Sequence, residues 1–99
     1  MPVLLSTDFD DPSSIPYFLW DEPMSVAALR HRLESATRQE QARLLGKILR
    51  EARDTDVWKF TSPQEVWRRW PEVSLHLGRR RAFWEFLIDR WRAEGFLEK

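Results

Sequence analysis

The sequence predicts an all-α protein, a small bundle of four to five short helices with an extended acidic N-terminal arm. Three observations carry this. From Met24 onward apolar residues recur at helical spacing, and no stretch alternates as a strand would. Thr37-Arg38-Gln39-Glu40 and Ser62-Pro63-Gln64-Glu65 are helix-start sequences, each with a hydroxyl at the N-cap and Glu three residues on. Before residue 24, Pro2, Pro12, Pro16, Asp10-Asp11 and Ser13-Ser14 oppose regular structure. The expected division is an acidic, aromatic arm over 1–23 and a helical domain over 24–99.

The elements follow in order. Tyr17-Phe18-Leu19-Trp20 is an aromatic cluster without periodicity, which should dock on the body or on a partner. A first helix is expected from about Met24 or Ser25 to Ser35, with Val26, Leu29, Leu33 and Ala36 on one stripe. A second runs from about Arg38 to Arg53 and buries Leu44, Leu45, Ile48, Leu49 and Ala52. Asp54 or Asp56 can cap a short helix through Val57, Trp58 and Phe60. The helix after Ser62 holds Val66, Trp67 and Trp70 and should stop at Pro71. A connector over 71–78 leads to a last helix, about Arg79 to Glu94. Gly95 fits its left-handed C-terminal position, and Phe96 can fold back on the last turn.

Composition bounds the function. Ninety-nine residues suit one domain, and six Trp and six Phe supply apolar area that so short a chain otherwise lacks. Without Cys there is no disulfide, no thiol chemistry and no Cys-based metal site, which fits a cytoplasmic protein. Met1-Pro2-Val3-Leu4-Leu5 is not expected to act as a signal peptide, and no apolar run reaches the roughly 20 residues of a membrane span. The net charge of zero hides a division. Residues 1–24 carry five acids and no base, while 25–99 carry sixteen bases against eleven acids. Such a chain is suited to meet a charged surface, its own or a partner's. Thirteen of the sixteen bases are Arg, either from a GC-rich genome or because the guanidinium fork suits carboxylate and phosphate.

Several constellations bear on binding. On a helical wheel the last helix spreads Ala82, Phe83, Trp84, Phe86, Leu87, Ile88 and Trp91 over roughly 240°, against a stripe near 100° for an ordinary surface helix. It either sits centrally or gives a flank to another chain. Arg79-Arg80-Arg81 opens it against the macrodipole, so these residues bind phosphate, meet the acidic arm or a partner's carboxylates, or are a solvated run. Arg68-Arg69 between Trp67 and Trp70 is a second basic-aromatic cluster, suited to single-stranded nucleic acid or, as core tryptophans with exposed arginines, to nothing. The last two helices are a poor helix-turn-helix, because their connector is too long. His31 should be exposed and His76 lies in the connector. Two isolated His and the Asp8/Asp10/Asp11 group make no convincing metal site, and no catalytic motif is present. No cofactor and no enzymatic activity are expected.

From Tyr17 onward, Phe-Leu-Trp-Asp leads into an amphipathic helix, followed by Leu-Leu-Gly-Lys-Ile-Leu-Arg-Glu-Ala-Arg (44–53), Asp-Val-Trp-Lys-Phe (56–60), Ser-Pro-Gln-Glu-Val (62–66) and Gly-Arg-Arg-Arg-Ala-Phe-Trp-Glu-Phe-Leu (78–87). This pattern, over about 80 residues, resembles small helical bacterial proteins encoded beside nucleotidyltransferase-type toxins of the abortive-infection class. The resemblance implies an antitoxin and carries over no individual functional residue.

The expected function is therefore a non-catalytic protein-binding partner that regulates a nucleotidyltransferase-type toxin. Asp8, Asp10 and Asp11 would supply charge and Phe18 and Trp20 anchors for a basic cleft, with Trp84, Ile88 and Trp91 as a second face on the last helix. The alternative is a nucleic-acid-binding module using Arg68, Arg69, Arg79, Arg80 and Arg81. A self-associating domain, as a homodimer, is the third reading. Nucleic-acid binding should be weak or absent, with no membrane partner, and the arm before Tyr17 should be dispensable for folding.

Overall fold

The computed structural model describes residues 4–97, so the ends of both expected segments (1–3 and 98–99) lie outside the described residues. Among the described residues there are six α-helices: α1 Val26–Ser35, α2 Arg38–Glu51, α3 Asp54–Val57, α4 Pro63–Arg68, α5 Trp70–Val73 and α6 Arg81–Ala93. Short 3-10 turns cover Tyr17–Leu19, Ser74–His76 and Gly78–Arg80. The fold is mostly helical, as predicted, with one element that the sequence did not announce. β1 (Leu5–Ser6) pairs in parallel with β2 (Ile15–Pro16), Leu5 opposite Ile15 and Ser6 opposite Pro16.

The capping chemistry reads as expected. Ser25, Thr37 and Ser62 accept the backbone N–H of Ala28, Glu40 and Glu65 at 3.1, 3.2 and 3.1 Å. Gly95 takes φ 80° and lets the Phe96 N–H reach the Trp91 carbonyl at 2.8 Å. Leu97 is the residue that returns to the core, while the Phe96 ring stays half exposed beside Trp91. Pro71 does not end a helix. The break falls at Arg69, and Pro71 sits in the first turn of α5, where its missing N–H costs nothing. Neither Asp54 nor Asp56 caps α3, because Asp54 is drawn to Arg80 and Asp56 to Tyr17.

α2 is the axis of the molecule. It contacts α1, α3, α5 and all three 3-10 turns. Ala42 and every residue from Leu44 to Leu49 are buried, so the helix is enclosed well beyond its expected apolar face. Gly46 is part of the reason. A Cβ there would lie 2.5 Å from the His76 Cβ, so only glycine lets the Ser74–His76 turn approach. Arg50 fastens the same turn, donating from Nη1 to the His76 carbonyl at 2.7 Å.

The expected extended arm, dispensable for folding, is corrected by the structure, and the aromatic cluster docks on the body. Phe9 is 6 % exposed, Phe18 1 % and Leu19 fully buried, in the same core as the helices. Phe9, Tyr17, Phe18 and Phe60 pack with ring centroids 5.3–6.1 Å apart. The segment also completes α1. The carbonyls of Ser14 and Pro12 accept the N–H groups of Val26 and Ala27 at 2.8 and 3.0 Å, two of the orphan donors at that helix start. Tyr17 closes the far end of α2: its hydroxyl accepts the Arg53 N–H and donates to Asp56, both at 2.7 Å. A segment with these roles is not expected to be dispensable for folding.

Two outcomes are expected of unfolding measurements. Phe9→Ala should destabilise the fold by about 3 kcal/mol, the cost of emptying a buried aromatic site. Gly46→Ala should cost about 1–3 kcal/mol, because backbone must move to admit the methyl. Denaturant midpoints unchanged in either variant would show that the segment or the turn is not packed as described.

Candidate functional site

The strongest candidate for a binding face is the folded N-terminal segment. Its loop between β1 and β2 is shaped by its own side chains. Ser6 Oγ accepts the Asp8 N–H at 2.9 Å, Asp8 Oδ1 accepts the Asp10 N–H at 3.1 Å, and Asp11 Oδ1 accepts both Ser13 N–H and Ser13 Oγ–H at 2.9 and 2.8 Å. Ser14 Oγ donates to the Asp11 carbonyl at 2.9 Å and also to that of Asp8. These local bonds favour turn over strand. Phe9 points inward while its neighbours Asp8 and Asp10, with Asp11, point to solvent. The Ser13 donors hold the Asp11 carboxyl below the usual carboxylate range.

The five acids of this segment divide into two groups. Asp21 and Glu22 face the basic side chains of α2, Asp21 from the surface and Glu22 partly buried. Lys47, whose side chain is 5 % exposed, bonds Asp21 and lies 3.4 Å from Glu22. Arg43 grips Glu22 with two parallel bonds of 2.9 Å and reaches Glu40 at 2.6 Å. A buried ammonium needs such partners, since an unpaired one would be costly. The Lys47 hydrogen bond lowers the Asp21 pKa, and the Arg43 bonds lower that of Glu22. Asp8, Asp10 and Asp11 take no part in any ion pair among the described residues. Trp20 stands 62 % exposed at the end of the 3-10 turn against which β1 lies.

The other predicted site residues fall as follows. Phe18 is a core residue and is not free to anchor a partner. Trp84 and Ile88 are buried, Trp84 donating from Nε1 to the Leu49 carbonyl at 2.9 Å, so they form no exposed flank of α6. Trp91 is half-buried, its ring 6.0 Å from that of Trp58. The exposed apolar flank of α6 carries Phe83 and Phe86 instead, 36 % and 61 % exposed. The wheel showed that the apolar face was too wide but could not tell which edge faced inward.

Four of the five candidate arginines are engaged by the chain's own carboxylates. Arg68 and Arg69 both bond Glu65, Arg80 pairs with Asp54 and covers the Phe83 ring at 4.5 Å, and Arg81 bonds Glu85 at 2.6 Å. Arg68 and Arg69 line a shallow groove of about 340 Å³ with Arg38 and Gln41. Arg69 also borders a cleft of about 360 Å³ over Leu33, Leu45 and Phe60, where the buried Thr61 hydroxyl has no partner. Arg79 through Arg81 are not part of either. No three His, Asp or Glu side chains gather as a metal-binding group among the described residues. No described helix is long and apolar enough to cross a membrane. Compared with protein-family models, with curated proteins and with solved structures, the chain has no significant match.

The Asp21/Glu22 lock sets a pH dependence. Both carboxyls are held below their unfolded values, so folding favours the ionised forms. Their contribution is complete above about pH 4.3, the unfolded Glu value, and is lost as the pH falls through the folded values. The thermal midpoint should therefore decline below about pH 4 in the wild-type chain, and less steeply in Asp21→Asn/Glu22→Gln. Equal slopes for the two proteins would show that the lock contributes no pH-dependent stability.

Proposed function

We propose that this chain is a non-catalytic protein-binding partner that presents Asp8, Asp10, Asp11 and Trp20 to a basic surface on another protein. The division of the acids carries the reading. Asp21 and Glu22 are neutralised by Arg43 and Lys47, whereas the three aspartates of the loop are solvent-facing and take no part in any ion pair among the described residues. The same segment carries Trp20, left mostly in water. Tryptophan is the residue type most often found as an interface anchor, and uncompensated charge of one sign steers association. A nucleotidyltransferase-type toxin suits this face, because an enzyme that holds nucleotide phosphates needs a basic cleft. The resemblance to antitoxins supports the same partner, and the cytoplasm is the compartment where the pair would meet. The binding face is carried on a folded segment, so little ordering entropy is lost on binding. The nucleic-acid alternative is less favoured, since four of its five arginines already hold carboxylates of the chain itself.

The test uses the product of the neighbouring gene. Trp20→Ala should weaken binding by roughly 30-fold, the equivalent of about 2 kcal/mol for a lost anchor. Its unfolding should stay within about 1 kcal/mol of wild type, because the ring is mostly exposed. The combined Asp8→Asn/Asp10→Asn/Asp11→Asn variant should slow association and flatten its salt dependence more than it speeds dissociation. Wild-type binding by a folded chain carrying all four changes would overturn the proposal.

A further inference from the structure

The structure leaves a second surface unexplained. Along α6 and the turn before it, Arg79, Phe83, Phe86, Arg90, Ala93 and Glu94 are all exposed. Phe83, Phe86, Arg90 and Ala93 follow one another at intervals of three, four and three, the spacing of a helix–helix seam. This seam is distinct from the inward face of Trp84 and Ile88. Most of a phenylalanine in water at the middle of such a seam calls for a covering surface.

We propose that α6 pairs with α6 of a second copy, antiparallel, about a twofold axis near Phe86. The charges on the seam select both the occupant and the orientation. Arg79 stands at one end and Glu94 at the other. In an antiparallel pair centred between Phe86 and Leu87, Arg79 meets the partner's Glu94, Phe83 meets the partner's Arg90, and the two Phe86 rings meet across the axis. Each contact occurs twice, as a twofold interface requires. A parallel pair would set Arg79 against its copy and Arg90 against its copy. The seam is self-complementary in one orientation only. Glu94 is available for the exchange: its bond to Arg90, 3.1 Å long, joins two side chains that are each more than half exposed and is worth little where it stands. Arg90 stacked on Phe83 gains a cation–π contact of the kind Arg80 already makes with that ring. Thirteen helical residues span only about 20 Å, so the interface is at the small end of specific ones and should dissociate in the micromolar range. The dimer is independent of the acidic face and would carry two copies of it.

Sedimentation of the full chain from about 5 to 500 µM, a range that brackets a micromolar constant, should show a reversible monomer–dimer equilibrium. Phe86→Ala should remain monomeric throughout while keeping wild-type helicity and thermal midpoint, since the ring is mostly exposed. Arg79→Glu and Glu94→Arg should each weaken the dimer by about tenfold or more. The double variant should return to within about threefold of wild type, the signature of a direct pair. A monomer at every concentration overturns the proposal. So does a dimer that survives Phe86→Ala, or a double variant no better than the singles. Retention of a single-stranded oligonucleotide by a monomeric chain, lost in Phe86→Ala, would overturn it in favour of a base-stacking surface.

Discussion

The enclosure of α2 is the constraint on which the rest of the structure depends. Six consecutive buried residues mean that neighbours surround the helix on every side, and each residue must then suit enclosure. Leu44, Leu45, Ile48 and Leu49 do so as apolar side chains. Gly46 does so by having none, which admits the Ser74–His76 turn. Lys47 does so only because Asp21 and Glu22 come to it. The C-terminal end needs help of another kind. The Arg53 N–H, which would have extended the helix to the Leu49 carbonyl, goes to the Tyr17 hydroxyl instead. The freed carbonyl takes the Trp84 indole. One end of one helix thus fastens both the N-terminal segment and α6.

From this follows the fate of the acids. A segment with five negative charges and no positive one would be expected to stay in solvent. It folds because its charges are arranged in two sets, with Phe9 buried within the first and Phe18 and Leu19 buried between the two. Asp21 and Glu22 are adjacent to the buried Lys47 and complete it. Asp8, Asp10 and Asp11 flank or follow Phe9, so the inward turn of one ring places three carboxylates outward. The stability of the segment and its chemistry at the surface come from the same alternation.

The helices were largely legible in the sequence because their signals are local. Capping hydroxyls, Pro63, the apolar spacing of α2 and Gly95 all act within one turn. The N-terminal segment was illegible for the opposite reason: many of its contacts reach 21 to 51 residues along the chain, as from Glu22 to Arg43 and from Phe9 to Phe60. A single Phe9 among acids and prolines carries no period, and nothing local marks it as core. The run Tyr17-Phe18-Leu19-Trp20 shows the same limit within the site. Its composition said that it must dock, and only the 3-10 turn decides that Phe18 and Leu19 go in while Trp20 stays out. Lys47 reads as the polar edge of α2 until the acids that neutralise it are placed. On α6 the excess apolar width was visible, but its exposed edge proved to be Phe83 and Phe86.

The short β pairing has a consequence for the chain's behaviour in a crowded solution. Leu4 and Leu5 are 84 % and 44 % exposed beside a strand edge, the combination that invites further strands to add. The pairing stops after two residues, and its second strand ends in Pro16, whose ring nitrogen has no hydrogen to donate. The chain then turns at once into the 3-10 helix of Tyr17–Leu19. Pro16 therefore limits how far a ladder begun here can grow, at the one place among the described residues where this helical protein exposes strand.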